Sequence, residues 1–573
     1  MKRKLLKSII LVLLFSISVI VVSACNRPIT NTYNVNYNAT IGGFLSGDPD
    51  QLIKHGDNAS SITAIANDGY VFVKWSDGVT DATRCDSNVI SNINVTAEFE
   101  QITYTIKFCA GIGGSLSGDT EQNLVPGSTS TTVTAIPDDG YEFFVWSNGQ
   151  DTPEITLTPE ESTIVTAIFV ESTYQLPVVS IYTENFTPIN TKENYVKCTV
   201  LVSNTNSAHE LSPEPGKIKL RGNSTAYLPK SPYKLKFDKK VDLFGNGSAK
   251  TWTIIANYVD CSLIRNYIAY SLGDAFDNLD YTTTIKTVEV YLNGKYDGVY
   301  LICEQVESGT NRVDIDVDYD NPNTGYLIEL DDRAPEEGVE GIDYFNIEST
   351  NTHNFVYEGK TLSYAIKSPD PEDGISAEHV AYIKQYIQQC MTALDGNDFD
   401  AVMELIDVYS FADGYIIDEL MHCVDIGISS FYIYKDKNGK LYRGPLWDYD
   451  LSSGNYSNFN AAVDPNNLWA KSANIWYNKL LSHEQFIKIV ATRLAELDDT
   501  IDNVISDCYK FAINHRNAFE RNFERWDILG VSSNNFTPEE IYSLETWEEH
   551  VDYLMNWLSL SLQNLKTSYP ITN

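Results

Sequence analysis

The chain has 573 residues, of which 43% are apolar and 12% aromatic, so it can bury cores in about two to four domains and is not a disordered protein. Its formal net charge of −37 argues against a nucleic-acid partner, because phosphate binding needs clustered Lys and Arg and no such cluster stands out. An acidic surface suits solubility outside a cell and contact with basic partners.

The first 24 residues have the pattern of a secretory signal. A positive n-region precedes an apolar h-region at 9–22 and consists of Lys2, Arg3, Lys4 and Lys7. The tetrapeptide VSAC at 22–25 resembles a bacterial lipobox, which implies a lipoprotein signal peptide at 1–24, a lipidated Cys25 and a tether at 25–31. Ordinary cleavage after Ala24 and an uncleaved anchor are the alternatives.

No later stretch of the sequence is apolar enough to span a bilayer. We therefore expect the body of the protein to lie in aqueous space on the extracytoplasmic face of the cell membrane, with the lipid on Cys25 as its only membrane contact. The other eight cysteines show no CxxC pair and no regular spacing, so the sequence indicates neither a zinc site nor a disulfide scaffold. Most are expected to be buried thiols.

Two copies of one segment follow the tether. The stretches YNVNYNATIGGFLSGD from Tyr33 and YTIKFCAGIGGSLSGD from Tyr104 align without gaps, as do GYVFVKWSDG and GYEFFVWSNG, always 71 residues apart. Apolar and polar residues alternate between clusters of Gly, Asn and Asp, a pattern that predicts short strands and turns. The sequence therefore predicts two small all-β repeat modules, at 32–100 and 101–170.

One tryptophan occupies the same place in each copy. Trp75 and Trp146 are better explained as core residues of their modules than as ligand platforms, because both copies keep them. The run Gly-Tyr-x-Phe-x-x-Trp resembles the divergent internalin-B-type B-repeat modules of bacterial surface proteins over about 32–170. That resemblance implies a spacer or adhesive stalk.

The composition changes near Glu171. Strand-like runs come first: LPVVSIYT, YVKCTVLVS, KIKLRGNST, YKLKFDKK, TVEVYLNGKYDGVYLICEQV and GYLIELD. After about Pro369 apolar residues recur at spacings of three and four, at 379–391, 399–405 and 475–523, which predicts helices.

This order of elements predicts one α+β domain at 176–573. It would have two lobes, a β-rich lobe at 176–368 and a mainly helical lobe at 369–573. A crevice between two lobes is a usual place for a ligand.

The stretch RGNST at 221–225 lies between two strand-like runs and precedes Lys230. A glycine beside small hydroxyl residues lets backbone N–H groups approach a phosphate, while lysines reach its oxygens. A hairpin turn with solvated lysines is the alternative.

The stretch NGKYDGVYLICE at 293–304 begins with Asn-Gly, a strong signal for a type I′ hairpin turn. Glu304 ends the apolar run and could face the lysines as an ion-pair partner. A solvated carboxylate is the alternative.

Two further stretches carry carboxylates. Asp425 falls at the junction of a predicted helix and a predicted strand, where it could reach into a crevice as a general base. Asp448 and Asp450, in GPLWDYDLSSGN, end a strand-like run, and residues i and i+2 of a strand point to the same face. Like charges held together repel unless a cation or proton lies between them. A hairpin around Asn438 would bring Asp425 and Asp448 close together.

The order of these stretches follows the logic of protein kinases, although G-x-G-x-x-G, H-R-D and D-F-G are absent. The runs LPVVSI, LRGNST…PKSPYKLKF, IIANYVDCSLIRNYIA, NGKYDGVYLICEQV, GYLIELD and GPLWDYDLSSGN, over about 176–460, resemble the spore coat protein H (CotH) kinase-like family. This family is an atypical branch of the protein kinase fold, so the resemblance implies a bilobal kinase-like domain with a helical C-terminal part.

The resemblance also implies residue roles. Asp448 would bind Mg²⁺, Asp425 would take the place of the catalytic-loop aspartate, and Asp450 would either assist the metal or cap the following loop. The residues implied to contact ATP, with Glu304 as the partner of a lysine, are Arg221, Gly222, Asn223, Ser224, Lys230, Lys234 and Glu304. We expect Asp425 and Asp448 to meet at one divalent ion, with a basic side chain from the 230s opposite.

Ser430 departs from the family pattern. Members often carry an asparagine five residues after the junction aspartate, as a ligand of a second metal ion, whereas this chain has a serine there. A serine hydroxyl is a weaker and shorter magnesium ligand than an amide oxygen.

Two functions follow from the resemblance. The first is a surface-anchored atypical kinase that transfers the γ-phosphate of ATP, with Mg²⁺, to Ser or Thr of an exported or surface protein. Because ATP is made in the cytosol, the alternative is a catalytically weak or inactive surface scaffold or adhesin that binds a protein partner.

Overall fold

The computed structural model describes residues 31–138, 141–150, 152–171, 176–203, 205, 209–348, 356, 361–371, 374–457, 460–532 and 534–571. The chain divides into two compact units, Met1–Ser172 and Thr173–Asn573. The predicted signal peptide, Cys25 and nearly all of the predicted tether lie outside the described residues. Within the described parts of the chain, none of the helices combines the length and the apolar character that a membrane span needs.

The first repeat folds as two small sheets around Trp75, which is fully buried. Its strands are β1 Thr32–Ala39, β2 Gly43–Ser46, β3 Asp50–Lys54, β4 Ile62–Ala66, β5 Tyr70–Trp75, β6 Thr83–Arg84 and β7 Ile93–Gln101. One sheet has the order β3-β1-β7-β5, with β1 and β7 parallel, and the other has the order β2-β4-β6.

The second repeat has the same arrangement around Trp146. Its strands are β8 Tyr104–Ala110, β9 Gly114–Ser117, β10 Glu121–Leu124, β11 Val133–Pro137, β12 Tyr141–Trp146, β13 Glu154–Ile155 and β14 Thr163–Glu171. Both tryptophans are 0% exposed, and each indole N–H donates to a backbone carbonyl six residues later, so their predicted core role is confirmed.

A closed barrel begins the second unit. Its strands are β15 Val178–Thr183, β16 Val196–Ser203, β17 Leu211–Leu220, β18 Tyr233–Asp242, β19 Ser248–Ile255, β20 Ile285–Leu292 and β21 Lys295–Glu304. The barrel order is β15-β16-β17-β18-β19-β21-β20, and the parallel pairing of β15 with β20 closes it. The turn between β20 and β21 has positive φ at both Asn293 and Gly294, as the predicted type I′ turn requires.

A five-stranded sheet follows the barrel. Its strands are β22 Tyr326–Leu330, β23 Tyr344–Glu348, β24 Thr361–Ser368, β25 Phe431–Lys435 and β26 Leu441–Arg443, in the order β23-β24-β22-β25-β26. The sheet therefore joins strands from both sides of residue 369, and the expected boundary between the lobes runs through it.

Most of the helices follow residue 369, as predicted, but the first two precede it. In chain order the helices are α1 Arg265–Ala275, α2 Ala334–Glu337, α3 Ala377–Leu394, α4 Phe399–Leu405, α5 Val408–Met421, α6 Asn460–Val463, α7 Ala470–Ala473, α8 Ile475–Leu480, α9 Glu484–Glu496, α10 Asp498–Asn514, α11 Arg516–Arg525, α12 Glu539–Tyr542 and α13 Trp547–Ser568. Helix α5 is buried on nearly every side, which is typical of a helix at the centre of a domain. The mixed α+β fold is thus observed after the two β modules.

The eight described cysteines are free thiols. Cys85 is exposed, Cys109 and Cys261 are half-buried, and the others are buried.

Candidate functional site

Asp425 lies where helix α5 turns toward strand β25, as predicted. The helix stops at His422, whose φ of 48° is left-handed, and Asp425 begins the short 3-10 helix Asp425–Gly427. The backbone carbonyl of Asp425 accepts the N–H groups of Ile428 and Ser429, both at 2.8 Å. This turn fixes the backbone from which the carboxyl group projects.

Asp448 is not on a strand. Strand β26 ends at Arg443, because Pro445 has no N–H with which to continue the ladder, and Asp448 has a left-handed φ of 69°. The expectation that Asp448 and Asp450 share one face of a strand is therefore wrong. The loop that carries both residues nevertheless brings the two carboxyl groups near each other, because burial and then the charge of Asp448 raise the pKa of Asp450.

A buried carboxylate beneath the loop holds it in place. Asp418 of α5 accepts hydrogen bonds from Arg443 Nη2 at 3.2 Å, from Tyr477 Oη at 2.7 Å and from Tyr449 Oη. Because Asp418 and Arg443 are both buried, the pair must be well hydrogen-bonded to be tolerated. Arg443 also donates through Nη1 to the carbonyl of Gly444 at 3.1 Å, so the buried ion pair is tied to the backbone just before the loop.

Helix α1 holds the same loop from the other side. The backbone N–H of Asp448 donates to Tyr270 Oη at 3.3 Å, and that of Tyr449 donates to Asn266 Oδ1 at 2.8 Å. The ring of Tyr270 also stacks on Trp447, with a centroid distance of 6.1 Å. The loop that carries Asp448 is thus clamped between α1 and α5.

The three aspartates of the site interact. Burial and the charge of Asp448 raise the pKa of Asp425 to about 7. Burial likewise raises the pKa of Asp448. Burial, then the charges of Asp448, Asp425 and Asp260, raise the pKa of Asp450 well above its ordinary value. The neighbouring residues Ser429 and Ser430 hydrogen-bond to the backbone of Asp425 and to the carboxylate of Asp448, so the two aspartates lie in one region, in agreement with the prediction.

Two arginines offset part of this negative charge. The charges of Arg221 and Arg333 both lower the pKa of Asp448, against the larger effect of burial, and Arg333 also lowers that of Asp425. Arg221 lies over the ring of Trp447, with its Cζ atom 5.3 Å from the ring centroid. The cations that face the aspartates are thus arginines.

The donor set fits a single magnesium ion that is shared with phosphate groups. Carboxylate oxygens are its preferred protein ligands, and Mg²⁺ commonly takes one or two of them together with substrate phosphates and water. Asp448 and Asp450 supply two carboxylates that burial makes costly to ionise without a bound cation, as their raised pKa values indicate. Among the described residues, no group of three or more His, Cys, Asp or Glu is arranged to hold a metal without such help.

Ser430 and Asp450 contact the site in different ways. Ser430 Oγ donates to Asp448 Oδ2 at 3.4 Å, so its hydroxyl is directed at a carboxylate. The carboxyl group of Asp450 accepts a backbone hydrogen bond from Leu451, as a loop cap does, and interacts with both other aspartates.

The structure does not bring Lys230 to the aspartates. Its Nζ donates to the carbonyl of Val299 at 2.5 Å and lies 4.6 Å from the ring centroid of Tyr300. Burial lowers the pKa of Lys230 to about 7, against the opposing charge of Asp297. This lysine lies in the loop between β17 and β18, and its side chain packs on strand β21 of the barrel.

Lys234 lies on β18, where its register partner on β17 is Lys219. Burial lowers the pKa of Lys234, and the charges of Lys219 and Arg221 lower it further, so Lys234 and Arg221 share one region.

Glu304 pairs with an arginine that the sequence did not single out. Burial raises the pKa of Glu304 to about 7, and the nearest cation is Arg312, whose Nη1 is 3.7 Å from Glu304 Oε1. Neither lysine proposed as its partner makes this contact. Glu304 Oε2 has no hydrogen-bond partner among the described residues.

The stretch RGNST at 221–225 contacts the site through Arg221. Arg221 reaches Trp447, whereas Asn223 and Ser224 are exposed and Asn223 Oδ1 accepts a hydrogen bond from Lys192 Nζ at 3.0 Å. Gly222 has a φ of 86°, a conformation that favours glycine.

The sequence did not single out four residues of the site and its support, namely Arg333, Asp418, Arg443 and Glu329, whose Oε1 accepts the backbone N–H of Ser430. Asp418 carried a signal, because an acid inside the apolar run GYIIDELM must be paired when it is buried. Arg333 carried none, since it lies in a short acidic segment after a strand.

Comparisons with known proteins agree with this layout. The family described as "CotH kinase protein" matches residues 218–565, which is more than half of the chain and extends past the resemblance at 176–460 to include the C-terminal helices. The family described as "Divergent InlB B-repeat domain" matches residues 33–103 and 104–173. No curated protein matches the chain. The chain belongs to the CotH kinase family, and two divergent InlB B-repeat domains precede its kinase-family domain.

Proposed function

We propose that this protein is a magnesium-dependent atypical kinase that transfers the γ-phosphate of ATP to a Ser or Thr hydroxyl of an exported or surface protein. The observation that carries the proposal is the meeting of Asp425 and Asp448, from two separate loops, beside Arg221 and Arg333. Phosphoryl transfer needs this combination of carboxylates and fixed cations.

Each residue has a separate role in the proposal. Asp425 accepts the proton of the acceptor hydroxyl, and a pKa near neutrality suits a general base. Asp448 would hold Mg²⁺ with the help of Asp450, and Arg221 and Arg333 would orient the phosphates. Bound Mg²⁺ and ATP supply the phosphoryl group and neutralise its developing charge.

The location of the protein is part of the proposal. The signal-like segment and the cysteine at position 25 support a lipid anchor on the extracytoplasmic face of the membrane, where the acceptor would be an exported or surface protein. The two B-repeat domains support a role at the cell surface.

The second candidate function is a catalytically weak or inactive scaffold that binds a protein partner. Ser430 favours it, because the serine replaces the expected amide ligand and directs its hydroxyl at Asp448. A second metal ion would then lack one of its ligands.

The test uses the full chain with labelled ATP, Mg²⁺ and a mixture of Ser- and Thr-containing peptides. We expect label on the protein or on a peptide, and a loss of at least about 100-fold in rate for Asp425→Asn and for Asp448→Asn. Asp502→Asn, which removes the same charge from an exposed position of α10, should leave the rate unchanged.

Equal labelling by wild type and Asp448→Asn would refute the kinase. No labelling, together with no rise in melting temperature on adding Mg·ATP, would favour the scaffold, since a ligand that binds the folded state stabilises it. Thermal melting of each variant separates loss of activity from loss of folding.

A further inference from the structure

Ser430 holds an unusual backbone conformation directly before strand β25. Its φ of 59° is left-handed, a region that serine rarely occupies. The backbone N–H of Ser430 donates to Glu329 Oε1 at 3.0 Å. A hydrogen bond to an ionised carboxylate is one of the stronger hydrogen bonds in a protein, so Glu329 holds this backbone turn.

Glu329 is itself fixed by an ion pair. It lies on β22, the central strand between β24 and β25, and is 7% exposed. Its Oε2 atom is 2.8 Å from Lys367 Nζ. The register of β22 with β24 shifts at Lys367, and a bulge of this kind re-aims a side chain, here toward Glu329.

Ser430 connects this ion pair to the candidate metal ligand. Its hydroxyl donates to Asp448 Oδ2 at 3.4 Å, while its N–H donates to Glu329. A continuous series of polar contacts therefore runs from Lys367 through Glu329 and Ser430 to Asp448. Groups that orient a ligating carboxylate in this way typically change metal affinity when they are removed.

We propose that Glu329 is a positioning residue of the site, which acts through Ser430 to aim the carboxylate of Asp448 at a divalent cation. The inference rests on the proposed function, since it assigns Asp448 to the cation. Ser430 then serves the metal indirectly, by orienting its ligand, where the family pattern has an amide. Lys367 keeps Glu329 in place.

A purely structural role for Glu329 makes a different prediction. If the carboxylate only ties strand β22 to β24 and β25, its loss would lower the melting temperature and leave cation affinity unchanged. Affinity for Mn²⁺, which replaces Mg²⁺ and gives a direct binding signal, distinguishes the two roles without any activity measurement.

The experiment is a double-mutant cycle on the full chain. Mn²⁺ affinity is measured by calorimetry in the presence of a non-hydrolysable ATP analogue, which supplies the phosphate ligands, and melting temperatures are recorded in parallel. We expect Glu329→Gln to weaken Mn²⁺ binding about tenfold. Ser430→Ala removes the hydroxyl that reaches Asp448, so Glu329→Gln should cause no further loss in that background. Glu404→Gln, at an exposed position of α4, is the charge-matched control and should bind like wild type.

Each remaining outcome overturns the inference. Wild-type affinity in Glu329→Gln, or additive losses in the double variant, refutes the positioning role and leaves the proposed function intact. Absence of Mn²⁺ binding in the wild type refutes both. If Glu329→Gln did not fold, Lys367→Met would replace it in the cycle, because that side chain is 34% exposed and its loss should be tolerated better.

Discussion

Three residues around the candidate site have left-handed backbone conformations. His422, Ser430 and Asp448 have φ values of 48°, 59° and 69°. A non-glycine residue in such a conformation costs on the order of 1–3 kcal/mol and persists only where its surroundings enforce it. For Ser430 and Asp448 the enforcing contacts are the buried Glu329 and Tyr270. Strain is thus concentrated where the chain must turn two carboxyl groups toward each other.

The raised pKa of Asp425 predicts that the site weakens the fold when it holds no cation. A carboxyl group whose pKa rises to about 7 on folding binds more protons in the folded state between about pH 4 and 7. Stability therefore falls as the pH rises through that window. Asp425→Asn removes this penalty, and we expect it to raise the free energy of unfolding by about 1–2 kcal/mol at pH 8.

The measurement is urea unfolding in EDTA at about pH 4.5 and at pH 8. The advantage of Asp425→Asn should shrink at the lower pH, where the wild-type carboxyl group is largely protonated. Asp502→Asn is the control for the loss of one charge. A variant that is less stable than wild type at pH 8 would contradict the prediction.

At the scale of elements, helix α11 is attached to barrel strand β21. Asn522 Oδ1 accepts the backbone N–H of Val299 at 3.0 Å, and Trp526 Nε1 donates to the carbonyl of Asp297 at 2.7 Å. Gly298 lies between them with a φ of 121°, and a Cβ atom there would come within 2.6 Å of Asn522 Oδ1. The C-terminal helices are therefore part of the barrel's support.

Asn522 should contribute more to stability than any solvent-exposed asparagine of α11. Asn522→Ala leaves the N–H of Val299 buried without its acceptor, which costs about 1–3 kcal/mol. Asn517→Ala, at an exposed position of the same helix, should cost less than about 0.5 kcal/mol. Urea unfolding gives the free energy of unfolding of both variants. Equal decreases in the two would show that the contact between Asn522 and Val299 contributes nothing to stability.

At the scale of the whole molecule, two modules of one fold have different cores. The first repeat buries Arg84 between Asp77 and Asp86, at 2.9 and 2.6 Å, and over the ring of Trp75. At the positions 71 residues later, where the first repeat has Tyr37, Asp77, Arg84 and Asp86, the second repeat has Phe108, Asn148, Ile155 and Leu157. An ionic network in one copy thus corresponds to an apolar cluster in the other.

This difference predicts that acid unfolds the first repeat before the second. Hydrogen bonds from Arg84 lower the pKa of Asp77, and despite burial they lower that of Asp86 as well. Carboxyl groups whose pKa falls on folding stabilise above their ordinary pKa of about 4, and this contribution is lost as the pH falls below it. Hydrogen exchange at about pH 3 and about pH 6 should show selective opening of residues 32–101 in acid.

A variant that carries the second repeat's residues, Tyr37→Phe, Asp77→Asn, Arg84→Ile and Asp86→Leu, is the matched comparison. It should lose the acid sensitivity of the first repeat, because well-packed apolar groups can replace a buried ionic network. Equal acid sensitivity of both repeats in the wild type would contradict the prediction.

The sequence by itself determined the features that depend on nearby residues. Alternation and the repeated tryptophan defined the two modules, the Asn-Gly pair defined the turn between β20 and β21, and apolar spacing defined α3 and α4. The position of Asp425 at the end of α5 followed in the same way. These are local patterns, because strand, turn and helix periodicities act over a few residues.

Only the tertiary structure decided which side chains meet. The contacts of Asp448 with Tyr270, and of Ser430 with Glu329, join residues separated by 178 and 101 positions. Long-range packing likewise put Arg221 near Asp448, and the side chain of Lys230 against Val299 of strand β21. The residue types that phosphate chemistry needs can be read along the chain, but the cation that faces each carboxylate depends on how distant segments pack, which no local pattern encodes.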